Sequence, residues 1–232
     1  MSEPATAPPA STAKGATTTI ELTRAQAAIA RRTAESRAIV PDFTVRLEAV
    51  MDTVLARAHR PSTTAVVVRA CGLALREHPE LNGAYRDAKL ERYDRVNVGV
   101  MVDAPGTLVV PTIFDADRKS AAQIASDLQT LAARVRAGEI TQPELSGATF
   151  TVSNVGMFGV DGLDPVIVPP QAAILGVGRI RDKVLPVDGQ PVVRRAMDLT
   201  LVCDHRAVYG AAAARFLARV GELLQCGAAL RD

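Results

Sequence analysis

Tryptophan is absent from this 232-residue chain, and aromatic residues make up only 3% of it. A platform that stacks unpaired bases needs such rings in number, so that class of binding is not expected. Charge of one sign is also lacking: 27 Lys and Arg stand against 25 Asp and Glu, a formal net charge of +2. A phosphate-tracking face needs a larger basic surplus, and nucleic acid is not expected as a partner. No apolar run reaches 18 residues, so no membrane-spanning helix is expected. Cysteine is scarce. Cys71, Cys203 and Cys226 form an odd set without CxxC spacing, and two of them lie in apolar runs. Free thiols in a reducing compartment are expected, with no metal site. The N-terminus lacks a charged-then-apolar leader layout, and the chain reads as cytoplasmic.

What is present is a core. Hydrophobic residues make up 48% of the chain, enough for one sizeable domain over residues 18–232. Residues 1–17 are rich in Ala, Pro, Ser and Thr and read as a flexible tail or linker remnant. Thr23 and Gln26 have the spacing of a capping box opening a helix that Pro41 ends. Phe43, Val45 and Leu47 then alternate with polar residues in a half-buried strand. Ser62 can cap an apolar helix running to His78, and Ala121, Ile124, Leu128, Leu131 and Val135 form a helical stripe within 120–136. Strands are expected at 82–86, at 93–102 with Val at every second position, and at 108–113, 149–154 and 172–178. A hairpin is expected about Val187–Gln190. Helices and strands mix without strict βαβ alternation, which gives an α+β class around a mixed sheet.

Two stretches carry residues suited to chemistry. Leu199–Ala211 reads as a strand, a loop and a helix start, with His205 at the turn between Asp204 and Arg206. Imidazole titrates near neutrality, and loops mounted on rigid elements are where reactive side chains tend to sit. A structural charge network would look the same from sequence. His59 and His78 follow helix ends and read as cations favourable to helix dipoles. In Thr149–Gly159 a strand opens into a loop with Gly156 and Gly159, and Ser153 stands where the strand ends. A hydroxyl there could donate to a developing oxyanion, although a turn with Asn154 and two glycines is also an ordinary turn.

Taken together, Ile29-Ala-Arg-Arg, Asp115–Ser120, Thr149–Gly159, Pro169–Arg179 and Asp204-His-Arg-x-x-x-Gly210-Ala resemble the catalytic domain of the dihydrolipoamide acyltransferases. These are the E2 components of 2-oxo acid dehydrogenase complexes, and the resemblance covers about residues 18–232. It implies a chloramphenicol acetyltransferase-like fold, a mixed β-sheet with flanking helices, assembled as homotrimers with the site in a channel between subunits. A higher cubic assembly is compatible with it. It also implies acyl transfer between coenzyme A and a thiol such as dihydrolipoamide. His205 would be the general base and Ser153 the oxyanion donor, with Asp204, Arg206 and Gly210 supporting the loop. Asn154, Val155, Gly156, Met157, Phe158, Pro169, Pro170 and Gln171 would line the channel. Relatives carry lipoyl and subunit-binding domains ahead of this core. The lipoyl group is therefore expected on another domain or protein, with lipoyl carriers or dehydrogenase-complex proteins as partners.

The chain departs from that pattern at Tyr209, where the family's motif has Asp, and at Val168, where it has Asn. The resemblance implies that this Asp helps hold the catalytic loop through an arginine of the first helix. A tyrosine can keep a hydrogen bond but cannot form that ion pair. Two further expectations follow: a core that assembles but has lost catalysis, or a stand-alone acyltransferase acting on a small amine or alcohol.

Overall fold

The computed structural model describes residues 11–104 and 107–230. In chain order these hold β1 (Ser11–Thr12), β2 (Gly15–Ala16), α1 (Arg24–Ile39), β3 (Asp42–Val50), α2 (Asp52–Leu55), α3 (Thr63–Glu77), β4 (Gly83–Arg86), β5 (Lys89–Arg92) and β6 (Val98–Val100). There follow β7 (Val102–Ala104), β8 (Thr107–Val109), β9 (Thr112–Ile113), α4 (Ala121–Ala137), β10 (Phe150–Asn154), β11 (Ala173–Val177), β12 (Arg181–Val187), β13 (Gln190–Asp204) and α5 (Gly210–Gln225). Most of the expected tail, residues 1–10, lies outside the described residues; Ser11–Thr12 pairs with Gly15–Ala16. Among the described residues no helix is long and apolar enough to cross a membrane.

The helices begin where their side chains can satisfy the first free N–H groups. Thr23 and Ser120 each accept from the backbone three residues on, and Gln26 and Gln123 answer to the cap N–H. Ser62 caps α3, whose Ala65–Val68, Ala70, Cys71, Ala74 and Leu75 are buried. That helix is the centre of the core, with α4 and α5 beside it.

The main sheet has seven strands in the order β12-β13-β11-β10-β6-β9, with β3 also pairing β13. β10 is parallel to β6 and β11, whereas β13 is antiparallel to β11, β12 and β3, so the sheet is mixed as expected. Strand alternation sorts its faces. Leu199, Leu201 and Cys203 belong to the large core with α3 and α5. Val202 and Ile174 pack with Val40 and Ile167 in a small second cluster on the other side.

Two strand expectations are corrected. Residues 93–102 are not one strand: only 98–100 and 102–104 are extended, in two different sheets. The cause lies in Asn82, whose Nδ2 donates to the carbonyls of Tyr93 at 2.8 Å and Arg95 at 3.0 Å, groups that a ladder neighbour would otherwise take. The expected strand 108–113 is likewise broken into β8 and β9, with Pro111, which has no N–H to give, in between.

Candidate active site

The end of β13 is held by backbone bonds before any side chain acts. Asp204 N–H donates to Ala172, His205 N–H donates to the Pro41 carbonyl, both at 2.9 Å, and the Asp204 carbonyl accepts from Ala207 and Val208. The turn is thus fixed, and its side chains divide the work. The buried Asp204 carboxylate accepts from Arg206: backbone N–H at 2.9 Å, Nε at 3.0 Å and the terminal nitrogen at 2.8 Å. The guanidinium lies over the Tyr85 ring, 4.5 Å from its centroid. Asp204 therefore serves Arg206 and leaves the imidazole alone.

His205 is exposed and flanked by rings. Phe43 lies 4.7 Å away, centroid to centroid, at 54°, and Tyr209 lies 5.9 Å away at 65°. Tyr209 is itself 65% exposed and is the residue before α5, in extended conformation with no side-chain cap. Two of the four arginines of α1 have anions of their own: Arg37 reaches Asp42 at 2.6 Å and Arg31 reaches Glu35 at 3.7 Å. The nearby Cys203 thiol is no nucleophile for this base. Burial first, and the adjacent Asp204 second, push it up to about 12.

Ser153 stands elsewhere. It pairs with Gly176 on β11, and Gly176 pairs with Thr200 on β13. His205 is therefore two strands across and five residues along from it, about 20 Å by strand spacing and rise. Because β13 runs against β10 and β11, these two residues lie toward opposite ends of the sheet. Ser153 is 5% exposed, and among the described residues its hydroxyl has no hydrogen-bond partner. The adjacent Asn154 is fully engaged, donating to Thr64 Oγ1 and accepting from the Gly156 N–H, both at 2.9 Å.

The expected channel residues divide between the two ends. Val155 to Phe158 follow β10, with Met157 73% and Phe158 64% exposed. The following loop is tied down by ion pairs from Asp161 to Arg179 and Arg181, and from Asp164 to Arg46, at 2.7 to 3.0 Å. Pro169, Pro170 and Gln171 lie at the His205 end, around a cavity of about 580 Å³ shared with Tyr85, Asp204 and Arg206. Gln171 is locked by Thr151, whose hydroxyl donates to it at 2.7 Å. Sequence reasoning missed Phe43 and Tyr85; only the alternation of β3 hinted at the first. Among the described residues no group of three or more His, Cys, Asp or Glu is placed to hold a metal ion.

The family model described as 2-oxoacid dehydrogenases acyltransferase (catalytic domain) matches residues 14–230. The dihydrolipoyllysine-residue acetyltransferase component of the mitochondrial pyruvate dehydrogenase complex of Caenorhabditis elegans is 35% identical, over 92% of this chain and 48% of its own length. The chain thus spans about half the length of this curated relative. The Azotobacter vinelandii dihydrolipoamide acetyltransferase superposes with a TM-score of 0.88 at 30% identity, covering 99% of this chain and all of that one. That structure was studied for the role in catalysis of a serine, a histidine 52 residues later and an asparagine four residues beyond it. Ser153, His205 and Tyr209 have the same spacing. The cubic core of a pyruvate dehydrogenase multienzyme complex superposes with a TM-score of 0.87 at 31% identity, over 98% of this chain and all of that one. Chloramphenicol acetyltransferase shares the fold, with a TM-score of 0.53 at 13% identity over 84% of this chain and 94% of its own. The chain belongs to the family of 2-oxoacid dehydrogenase acyltransferase catalytic domains.

Proposed function

We propose that the protein transfers an acyl group between coenzyme A and a thiol of the dihydrolipoyl type, in a site that two copies of the chain build together. The observation that carries this reading is the separation of Ser153 from His205. A base and an oxyanion donor must both lie within hydrogen-bond reach of one reacting centre, about 3 Å from their targets. At about 20 Å apart in one chain they cannot. A cyclic arrangement resolves this, since each copy offers its His205 end to the Ser153 end of the next. A homotrimer is the assembly proposed, and the similarity to a cubic core supports further association of such units.

The steps follow from the groups. The incoming thiol, with an ordinary pKa near 8.5, gives its proton to the His205 imidazole as sulfur attacks the thioester carbonyl. The carbonyl oxygen takes the negative charge and accepts a hydrogen bond from Ser153 Oγ of the neighbouring copy. The intermediate collapses by breaking the original carbon–sulfur bond, and the departing thiolate takes the proton back from the imidazolium. The base contributes on the order of 10² to 10⁴ in rate and the oxyanion donor on the order of 10² to 10³. The lipoyl thiol arrives on a separate domain or protein.

Acyl transfer from acetyl-coenzyme A to dihydrolipoamide is the direct assay. His205→Ala is expected to lower it by at least about 10²-fold; an unchanged rate would remove the base. Tyr209, standing where the studied relative has an asparagine, favours one second reading, an assembly core without catalysis. Coenzyme A-dependent turnover by the wild-type protein, with any acyl acceptor, would exclude it.

A further inference from the structure

We propose that Tyr209 is a positioning residue for the general base, its ring fixing the orientation of the His205 imidazole in place of a polar partner. The inference rests on the acyl-transfer reading above and goes beyond it, because the relative's asparagine at this spacing could not act through a ring. The backbone of the turn is already hydrogen-bonded, to Pro41 on one side and on itself through Ala207 and Val208. What is left free is rotation of the imidazole about its own side-chain bonds. A base usually has its second nitrogen held by a carboxylate or carbonyl. Among the described residues no side chain hydrogen-bonds the His205 ring, and the one adjacent carboxylate, Asp204, is taken by Arg206.

Two rings fill that role. Phe43 lies tilted on one side at 4.7 Å, and Tyr209 presents an edge-to-face contact at 5.9 Å and 65°. Both separations fall in the 4.5 to 7 Å range at which aromatic pairs attract beyond simple burial. Both rings are also rigidly mounted. Phe43 is in the paired strand β3, and the Tyr209 carbonyl accepts from Ala213 N–H at 3.0 Å in the first turn of α5. Tyr209 has no capping function that would otherwise explain it, and at 65% exposure it contributes little to the core. Within one chain its ring does one visible thing, which is to bound the space in which the imidazole turns.

The test uses the full, assembled chain carrying labelled histidine, with three signals from His59, His78 and His205. His205→Ala identifies the third. Tyr209→Ala is expected to move the His205 ring resonances, by loss of the ring-current shift, while leaving the other two in place. It should also lower kcat by about tenfold or more, with KM within about twofold, since a misplaced base affects the transition state alone. Tyr209→Phe should keep the resonance position and remain several-fold faster than Tyr209→Ala. If the His205 resonances do not move in Tyr209→Ala, or kcat does not fall, the proposal is wrong. A Phe variant as slow as the Ala variant would assign the effect to the hydroxyl and overturn it equally. Wild-type protein with no acyl transfer would instead defeat the catalytic reading, while the resonances would still decide where the ring holds the imidazole.

Discussion

Arg206 grips Asp204 through its backbone N–H, Nε and terminal nitrogen, within a turn of three residues that has His205 at its centre. The pair lies wholly within the loop and draws on no residue of the first helix. It is local, so the loop can hold its shape without an acid at position 209. The carboxylate is buried and the guanidinium side chain 29% exposed, so the pair is only partly screened by solvent. Asp204→Asn removes the charge and half of the fork, and is expected to cost about 2 kcal/mol of stability. Activity should fall with it, because the His205 backbone shares the turn. Urea unfolding read beside the acyl-transfer assay checks both; a variant as stable and as active as wild type would show the pair to be incidental.

Tyr209 starts α5 without capping it, and the first N–H groups of that helix have no side-chain acceptor there. Tyr209→Asn supplies one. The expected gain is about 1 kcal/mol, seen as a higher denaturation midpoint. If Tyr209 also orients the base, the same substitution lowers kcat, so stability and activity should move in opposite directions. Parallel losses would indicate that the side chain packs against something structural instead.

Gly178 follows β11 at the point where the Asp161 carbonyl occupies the place a side chain would need. No flexible group can give way, because the obstruction is backbone. Gly178→Ala should therefore displace the loop after Ser153, at a cost near or above about 3 kcal/mol. The ion pairs of Asp161 with Arg179 and Arg181 would be lost with it. Proteolysis confined to residues 155–165 in the variant is the expected signature, and wild-type resistance there would contradict it.

Asp198 sets an acid limit on the other half-site. Burial by itself would raise its pKa, but hydrogen bonds from Lys183 and Arg181 outweigh burial and hold it below the ordinary carboxylate value. A group depressed in the folded state stabilises the fold above its unfolded pKa, about 3.9, and loses that contribution as pH falls through the lower folded value. Wild type should therefore be more stable than Asp198→Asn at neutral pH, and the gap should close as pH falls through the lowered folded value. Thermal unfolding at stepped pH measures the gap. A gap that stays constant into acid would rule out this origin.

Local chemistry made much of the fold legible. The caps at Thr23 and Ser62, the stop at Pro41 and the alternation of Phe43, Val45 and Leu47 are each decided within a few residues. Residues 93–97 were not legible, because Asn82, eleven and thirteen residues away, takes the carbonyls of Tyr93 and Arg95. His205 and Ser153 could be picked out by type and by family resemblance, but their separation could not. It depends on β13 running antiparallel to β11 while β10 and β11 run parallel, a matter of pairing between strands distant in sequence. The Phe43 ring was hidden for the same reason, since it meets His205 only through the β3–β13 register.

The central claim is that one copy's His205 works with another copy's Ser153, and mixing two inactive variants tests it most directly. His205→Ala and Ser153→Ala chains are unfolded together, refolded as mixed assemblies and assayed for acyl transfer beside each parent. Random assembly in a ring gives about a quarter of the sites one intact His205 and one intact Ser153, so activity should recover to about a quarter of wild type. Mixed assemblies that form but stay at the level of their parents would contradict the shared site.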